Sequence, residues 1–228
     1  MRVAAIDCGT NSIRLLIADV PGGNGGELSD VARRMEIVRL GEGVDRTGRL
    51  SEAALTRTRK ALTGYAAEIT DLGITRIRMC ATSASRDASN AGDFRAMVRD
   101  VLGVDPEVIT GDEEARLSFT GAVAGLTAEK PYLIVDIGGG STEFVSGSAG
   151  VEHAISMDIG CVRMTERHLH HDPPSADEIE AAAAGGSSCR CRSVIRTEPT
   201  STDTAARSVA PGSPSTISVD PPPMSTTR

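Results

Sequence analysis

Large rings are nearly missing from this 228-residue sequence: it holds no tryptophan, two tyrosines and three phenylalanines. Its core has to be assembled from Ala, Val, Ile and Leu, which bury less surface apiece, so most of the chain must contribute to it. Lysine is scarce too. Of 24 basic residues only Lys60 and Lys130 are lysines. Arginine suits phosphate oxygens because its guanidinium presents a bidentate fork, yet a GC-rich coding sequence yields the same bias and is the preferred reading. An excess of positive charge is also lacking. The formal net charge of −7 argues against a general nucleic-acid binder, which needs a basic surface to displace counterions. A local basic cleft for a polyanion remains compatible with it.

Long hydrophobic runs are absent as well. The N-terminal stretch MRVAAIDCGTNSIRLLIADV is interrupted by Asp7 and Arg14, so it reads as neither signal peptide nor membrane span. The expectation is a cytoplasmic protein without a membrane partner. Five scattered cysteines, an odd number, fit no simple disulfide framework. Cys189 and Cys191 are too close for a zinc half-site, and Cys8, Cys80 and Cys161 read as buried thiols of a reducing compartment.

What is present divides the chain in three. Residues 1–184 carry periodic apolar patterning. Residues 185–228 are rich in Ser, Thr and Pro with no leucine and no aromatic, too little apolar surface to offset ordering entropy. That tail is expected to be disordered. Strands are expected at Val3–Asp7, Ile13–Asp19, Met35–Leu40, Thr75–Ala81 and Glu107–Ile109. Helices are expected after the N-cap Ser51, over Phe94–Leu102 and after Thr110. A second unit opens with strands at Tyr132–Asp136, Thr142–Val145 and His153–Met157, followed by helices at Val162–His170 and Ser175–Ala184. Alternating strands and helices indicate an α/β architecture. The two units share a theme, a hairpin with a glycine-containing turn after an aspartate. The boundaries that follow are a first lobe at 1–124, a partial second lobe at 125–184 and the tail at 185–228.

Four stretches can carry chemistry. In Asp7-Cys8-Gly9-Thr10-Asn11-Ser12, small residues permit close backbone approach, and Thr10, Asn11 and Ser12 can line an anion site; a tight turn explains them about as well. In Asp136-Ile137-Gly138-Gly139-Gly140-Ser141-Thr142-Glu143, three glycines ending a strand are entropically costly, and the usual compensation is a backbone wrapped around phosphate beside an acid-held metal. In Thr110-Gly111-Asp112-Glu113-Glu114, Thr110 and Glu113 fit a capping box. Glu114 is then left free to act as a base on water, although favourable placement on the helix dipole accounts for it equally well. In Ala81-Thr82-Ser83-Ala84-Ser85-Arg86-Asp87, Arg86 on a loop can grip a phosphoryl oxygen or form a plain surface ion pair. His168, His170 and His171 follow no metal-site spacing and read as solvated helix-end residues.

Taken in order, D-C-G-T-N-S-I-R-L, G-E-G-V, A-T-S-A-S-R-D, I-T-G-D-E-E-A, D-I-G-G-G-S-T-E and D-I-G-C-V-R-M-T-E resemble the exopolyphosphatase/guanosine pentaphosphate phosphohydrolase family, in its short actinobacterial form. The resemblance implies a ribonuclease-H-like, acetate kinase/actin/Hsp70-like two-lobe fold, with the second lobe incomplete here. It implies release of terminal orthophosphate from inorganic polyphosphate, or removal of the terminal phosphate of guanosine pentaphosphate, and a homodimer in intact relatives. Carried over by position, Glu114 matches the base and Asp136 and Glu143 match acids that hold Mg²⁺ (or Mn²⁺) and position water. Asp7 matches the first-loop carboxylate, Arg86 a phosphate-gripping arginine, and Gly138, Gly139, Gly140 and Ser141 the second phosphate loop. The resemblance stops near residue 184, for which a frameshift is the expected origin. Competing readings are a kinase of the same fold and a binder of polyphosphate or alarmone that does not turn over.

Overall fold

A computed structural model describes residues 1–22, 28–187 and 191–196; of residue 187 and residues 191–196 only the backbone is considered. In chain order the elements are β1 (Arg2–Cys8), β2 (Ser12–Asp19), β3 (Ser29–Ile37), α1 (Val44–Thr47), α2 (Glu52–Asp71), β4 (Ile77–Ala81), α3 (Ser83–Asp87), α4 (Ala91–Leu102), β5 (Glu107–Val108) and α5 (Gly111–Val123). Then follow β6 (Tyr132–Ile137), β7 (Thr142–Gly147), β8 (Val151–Met157), α6 (Cys161–His168), α7 (Ala176–Ser187) and β9 (Cys191–Arg196). The described residues form one compact body. No helix among the described residues is long and apolar enough to cross a membrane.

The first sheet has the order β3-β2-β1-β4-β5. Strands β1, β2 and β3 pair antiparallel, whereas β4 lies parallel to β1 and β5 parallel to β4. An antiparallel meander continued by two parallel strands, each reached through a helical crossover, is the ribonuclease-H-like arrangement. Alternation fixes which face is inside: Ala4, Ile6 and Cys8 of β1 and Ile13, Leu15 and Ile17 of β2 are buried, because neighbouring side chains point to opposite faces. They pack with Leu62, Tyr65 and Ile69 of α2 and with Phe94 and Val98 of α4. Helix α2 starts where the Ser51 side chain accepts from the Ala54 amide, and α4 ends at Gly103 with φ 70°, a left-handed cap that glycine adopts without strain.

The second sheet runs β6-β7-β8-β9, all pairs antiparallel. Its inner face (Ile134, Val145, Ala154) packs on Ala115 and Phe119 of α5. Beside β6, where a parallel strand would repeat the first sheet's pattern, no strand lies among the described residues.

Several expectations need correction. The third strand begins at Ser29 and ends at Ile37 rather than spanning 35–40; its charged start is held by pairing with the edge of β2, which outweighs poor strand propensity. Arg86 sits on the short helix α3, not on a loop. Residues 191–196 form β9 within the stretch expected to be structureless, and 185–187 finish α7; the β-branched pair Val194 and Ile195 meets the free edge of β8, and a ladder of backbone bonds offsets the polar composition. The rest of that stretch, 188–190 and 197–228, lies outside the described residues. Of the three thiols expected inside, Cys8 is buried and Cys80 half-buried, but Cys161 at the start of α6 is exposed.

Candidate functional site

Two turns face each other at the ends of the two hairpins. After β1, the chain turns through Gly9-Thr10-Asn11, closed by the Gly9 amide on the Ser12 carbonyl at 3.0 Å. The Asn11 carbonyl accepts from Val38 and Arg39, so this turn is anchored to the segment after β3. Thr10 is buried and its hydroxyl shares a 2.8 Å hydrogen bond with Ser83 at the start of α3. Asn11 and Ser12 are half-buried.

After β6 comes the glycine turn. The Gly138 amide bonds the Ser141 carbonyl at 2.9 Å. The Gly138 carbonyl accepts from the Cys161 amide, the Gly139 carbonyl from Val162 and Arg163, and the Gly140 carbonyl from the Arg163 side chain. All three glycine carbonyls are thus turned toward the start of α6. Among the described residues the Gly139 and Gly140 amides meet no acceptor. Close approach is why side chains are excluded here: a Cβ on Gly140 would lie 2.6 Å from Ser83 Oγ, and one on Gly160 would lie 2.4 Å from the Gly139 backbone. Successive backbone amides without acceptors, as at Gly139 and Gly140, can form an anion-binding concavity.

Between the turns the structure gathers four carboxylates. Asp136 and Glu143 are direct cross-strand partners on β6 and β7, on the face that α5 covers. Glu114 sits in the first turn of α5, and Ser118, one turn later on the same helix face, donates to Asp136 Oδ2 at 2.8 Å. Asp7 comes from the end of β1. Asp7, Glu114 and Asp136 border a cavity of about 660 Å³ that is also lined by Arg14 and Arg78.

Electrostatics follow from this crowding. Burial pushes Glu114 up to about 7, with the neighbouring Glu143, Asp7 and Asp136 adding to the rise and Arg86 opposing it. One of its oxygens, Oε2, is buried and accepts no hydrogen bond among the described residues; Arg86 Nη1 stands 3.6 Å away and donates instead to the Ile109 carbonyl at 2.9 Å. Glu143, 3% exposed, is also raised by burial, against hydrogen bonds from Ser141 and Ser156 that favour its ionised form; the Ser156 bond is 2.8 Å. Asp7 is raised too, its desolvation outweighing the Arg14 guanidinium at 3.7 Å. A buried carboxyl group poised near neutrality beside others of the same sign is what a proton acceptor for water requires.

The expected division of labour between Glu113 and Glu114 has a structural counterpart. Thr110 Oγ1 accepts from the Glu113 amide at 3.2 Å, half of a capping box, while the Glu113 carboxylate turns outward to Arg78 at 3.4 Å. Glu114 alone faces the cavity.

Sequence reading missed Ser83, Ser118 and Ser156, each of which orients a site side chain; a lone serine carries no signal until the fold supplies its partner. Among the described residues no three His, Cys, Asp or Glu side chains converge as a ready-made metal cage. His171 pairs with Glu178 at 2.8 Å.

The model of the Ppx/GppA phosphatase family matches residues 16–188, which include Glu114, Asp136, the glycine turn and Glu143. Exopolyphosphatase 2 of Mycobacterium tuberculosis is 58% identical over 188 residues, covering 79% of this chain and 59% of that protein. The crystal structure of an exopolyphosphatase-like protein is 47% identical with a TM-score of 0.75, covering 81% of this chain and 58% of the other. An Aquifex aeolicus Ppx/GppA family structure is 38% identical with a TM-score of 0.63, over 79% and 58% of the two chains. The chain thus spans somewhat under two thirds of the length of these relatives. With the family model covering most of its length, the chain belongs to the Ppx/GppA phosphatase family.

Proposed function

We propose that this chain is built for hydrolysis of a terminal phosphoanhydride bond, with inorganic polyphosphate as the substrate class. The observation that carries the reading is Glu114: buried, raised to about 7, with one oxygen that accepts no hydrogen bond among the described residues, at the border of a cavity it shares with Asp7 and Asp136. In this reading the Glu114 carboxylate takes the proton of the attacking water. The Gly139 and Gly140 amides, with Thr10, Asn11, Ser12 and Ser141, receive oxygens of the transferred phosphoryl group, and Arg86 offsets charge beside the base. No covalent enzyme intermediate is required.

Four carboxylates raised or crowded by one another suit a divalent cation, and the lack of a ready-made cage suits Mg²⁺ (or Mn²⁺), which keeps several waters and shares its ligands with substrate phosphates. Asp7 and Asp136, with Glu143 behind them, would hold it. When bound, such an ion neutralises phosphoryl oxygens and lowers the pKa of water. The relatives named exopolyphosphatase favour polyphosphate over guanosine pentaphosphate as the substrate.

The test is orthophosphate release from polyphosphate with Mg²⁺ by the purified chain beside Glu114→Ala. The expected result is release that falls by a factor of about 100 or more in the variant. Equal release by both sinks the reading. Polyphosphate binding without release would assign the chain as a binder, and release from guanosine pentaphosphate alone would move the substrate.

A further inference from the structure

Arg163, in the first turn of α6, joins the glycine turn to α1 and α3. Its Nε donates to the Gly140 carbonyl at 2.8 Å. Nη1 donates to Asp45 of α1 at 2.9 Å, and Nη2 to Asp87 of α3 at 3.2 Å, with Asp158 Oδ1 3.9 Å away. The side chain is 13% exposed. The rest of the same helix face supports the grip: Arg167 binds Asp45 with two hydrogen bonds, at 2.5 and 2.6 Å, and Glu166 accepts from the Gly43 amide at 2.8 Å. Positions 163, 166 and 167 share a face by helical periodicity.

Of the three glycine carbonyls, the first two are held by backbone amides of α6, so they depend only on the helix being there. The third depends on one side chain. A trans peptide is planar, with its C=O and N–H pointing in opposite directions. Fixing the Gly140 carbonyl against Arg163 therefore fixes the Ser141 N–H on the opposite side, the side away from α6. Gly140 is also the glycine pressed against Thr10 and Ser83 of the first turn's surroundings. A lysine can keep the charge here but has a compact head, whereas the planar guanidinium spans a carbonyl and two carboxylates at once.

We propose that Arg163 is a positioning residue of the anion-binding turn: it locks the Gly140–Ser141 peptide to Asp45 and Asp87 and thereby sets the direction of the Ser141 amide toward a phosphoryl oxygen. This rests on the reading of the glycine turn as a phosphate site. Arg163 itself acts through the peptide and touches no substrate.

The experiment compares the full chain with Arg163→Ala and Arg163→Lys, using tripolyphosphate binding by calorimetry and ligand-free amide signals and exchange by NMR. Arg163→Ala is expected to weaken tripolyphosphate binding by about 10- to 100-fold and to shift the ligand-free NMR signal of the Ser141 amide, with exchange of the α4 amides unchanged. Arg163→Lys is expected to recover part of both. Equal binding by all three proteins overturns the proposal. So does a loss in which Lys is no better than Ala and α4 protection falls with it, since that describes a merely structural residue. If the wild-type chain binds no tripolyphosphate, the phosphate reading fails separately, and the ligand-free Ser141 amide signal still decides: no change in Arg163→Ala refutes the lock.

Discussion

The two sheets begin alike and end differently. Each opens with an antiparallel hairpin whose turn follows an aspartate, yet among the described residues a cluster of 22 buried apolar residues forms around the first sheet, against four around the second. The first sheet has α2 and α4 over one face, and its other face carries charge at Asp7, Arg14, Arg33 and Arg78 beside the exposed Met35 and Ile37. The second has α5 over one face, and its other face shows Leu133, Val135, Ile137, Phe144 and Ile155, with Leu133 65% and Ile137 72% exposed. Apolar surface left in water contributes nothing to stability at about 25 cal/mol per Å². The same local design therefore yields a sturdy platform on one side and a weakly held one on the other. The site draws on both: Asp7 and Thr10 belong to the sturdy half, and Asp136, Glu143 and the glycine turn to the weak one.

The strongest way to break this comparison is to open a cavity in each half. Phe94→Ala, in the large core, is expected to cost about 3–5 kcal/mol and to lower the global unfolding midpoint in urea. Phe119→Ala, in the small cluster, is expected to speed amide exchange in β6–β8 while leaving α2 and α4 protected. Equal loss of protection throughout in both variants would mean that the halves unfold as one.

The seam between the halves should reveal itself through pH. Glu114 has a folded pKa of about 7 against an ordinary 4.5, so the folded chain holds this proton more tightly than the unfolded one. Its contribution is fully present below about pH 4.5 and is lost as pH rises through 7, a change on the order of 3 kcal/mol. The raised Asp7 and Glu143 push the same way. Melting temperature is expected to fall between pH 5 and 8, and Glu114→Gln to flatten that slope; an unchanged slope would show that the carboxylate is not strained by its surroundings.

Helix caps give a smaller and sharper comparison, because the two are locally matched. Ser51 accepts from Ala54 at 3.1 Å and Thr110 from Glu113 at 3.2 Å. Each Ala substitution is expected to cost about 1 kcal/mol. Ser51→Ala should appear in global stability, whereas Thr110→Ala should appear first as faster exchange around α5 and the second sheet. Least costly of all is a charge on the bare face: Val135→Lys is expected to change stability by no more than about 0.5 kcal/mol while reducing self-association in light scattering. A large loss of stability would mean that this face is covered.

Much of this was legible in the residues. Alternation in β1 and β2, the cap at Ser51, the glycine closing α4 and the Asp-Gly turns are all local signals, each with a local physical cause. The third strand's start, α3 and β9 were not legible, since charged or polar residues take those conformations only because a neighbouring strand edge or turn receives them. The same division runs through the site. Glu114 stood out in part because the cap gave Glu113 other work, but Ser118 and Ser156 gain meaning only from the carboxylates they touch.

What the sequence by itself determined is therefore most of the longer elements, the two acidic turns and the family, because period, capping and backbone freedom act over a few residues. Only the tertiary structure decided that Glu114 loses its water and rises to about 7, that the glycine carbonyls turn to α6, and that Arg163 ties the second turn to Asp45 and Asp87 across 118 and 76 residues of chain. Desolvation and ion pairing depend on which groups are neighbours in space, and that is set by packing.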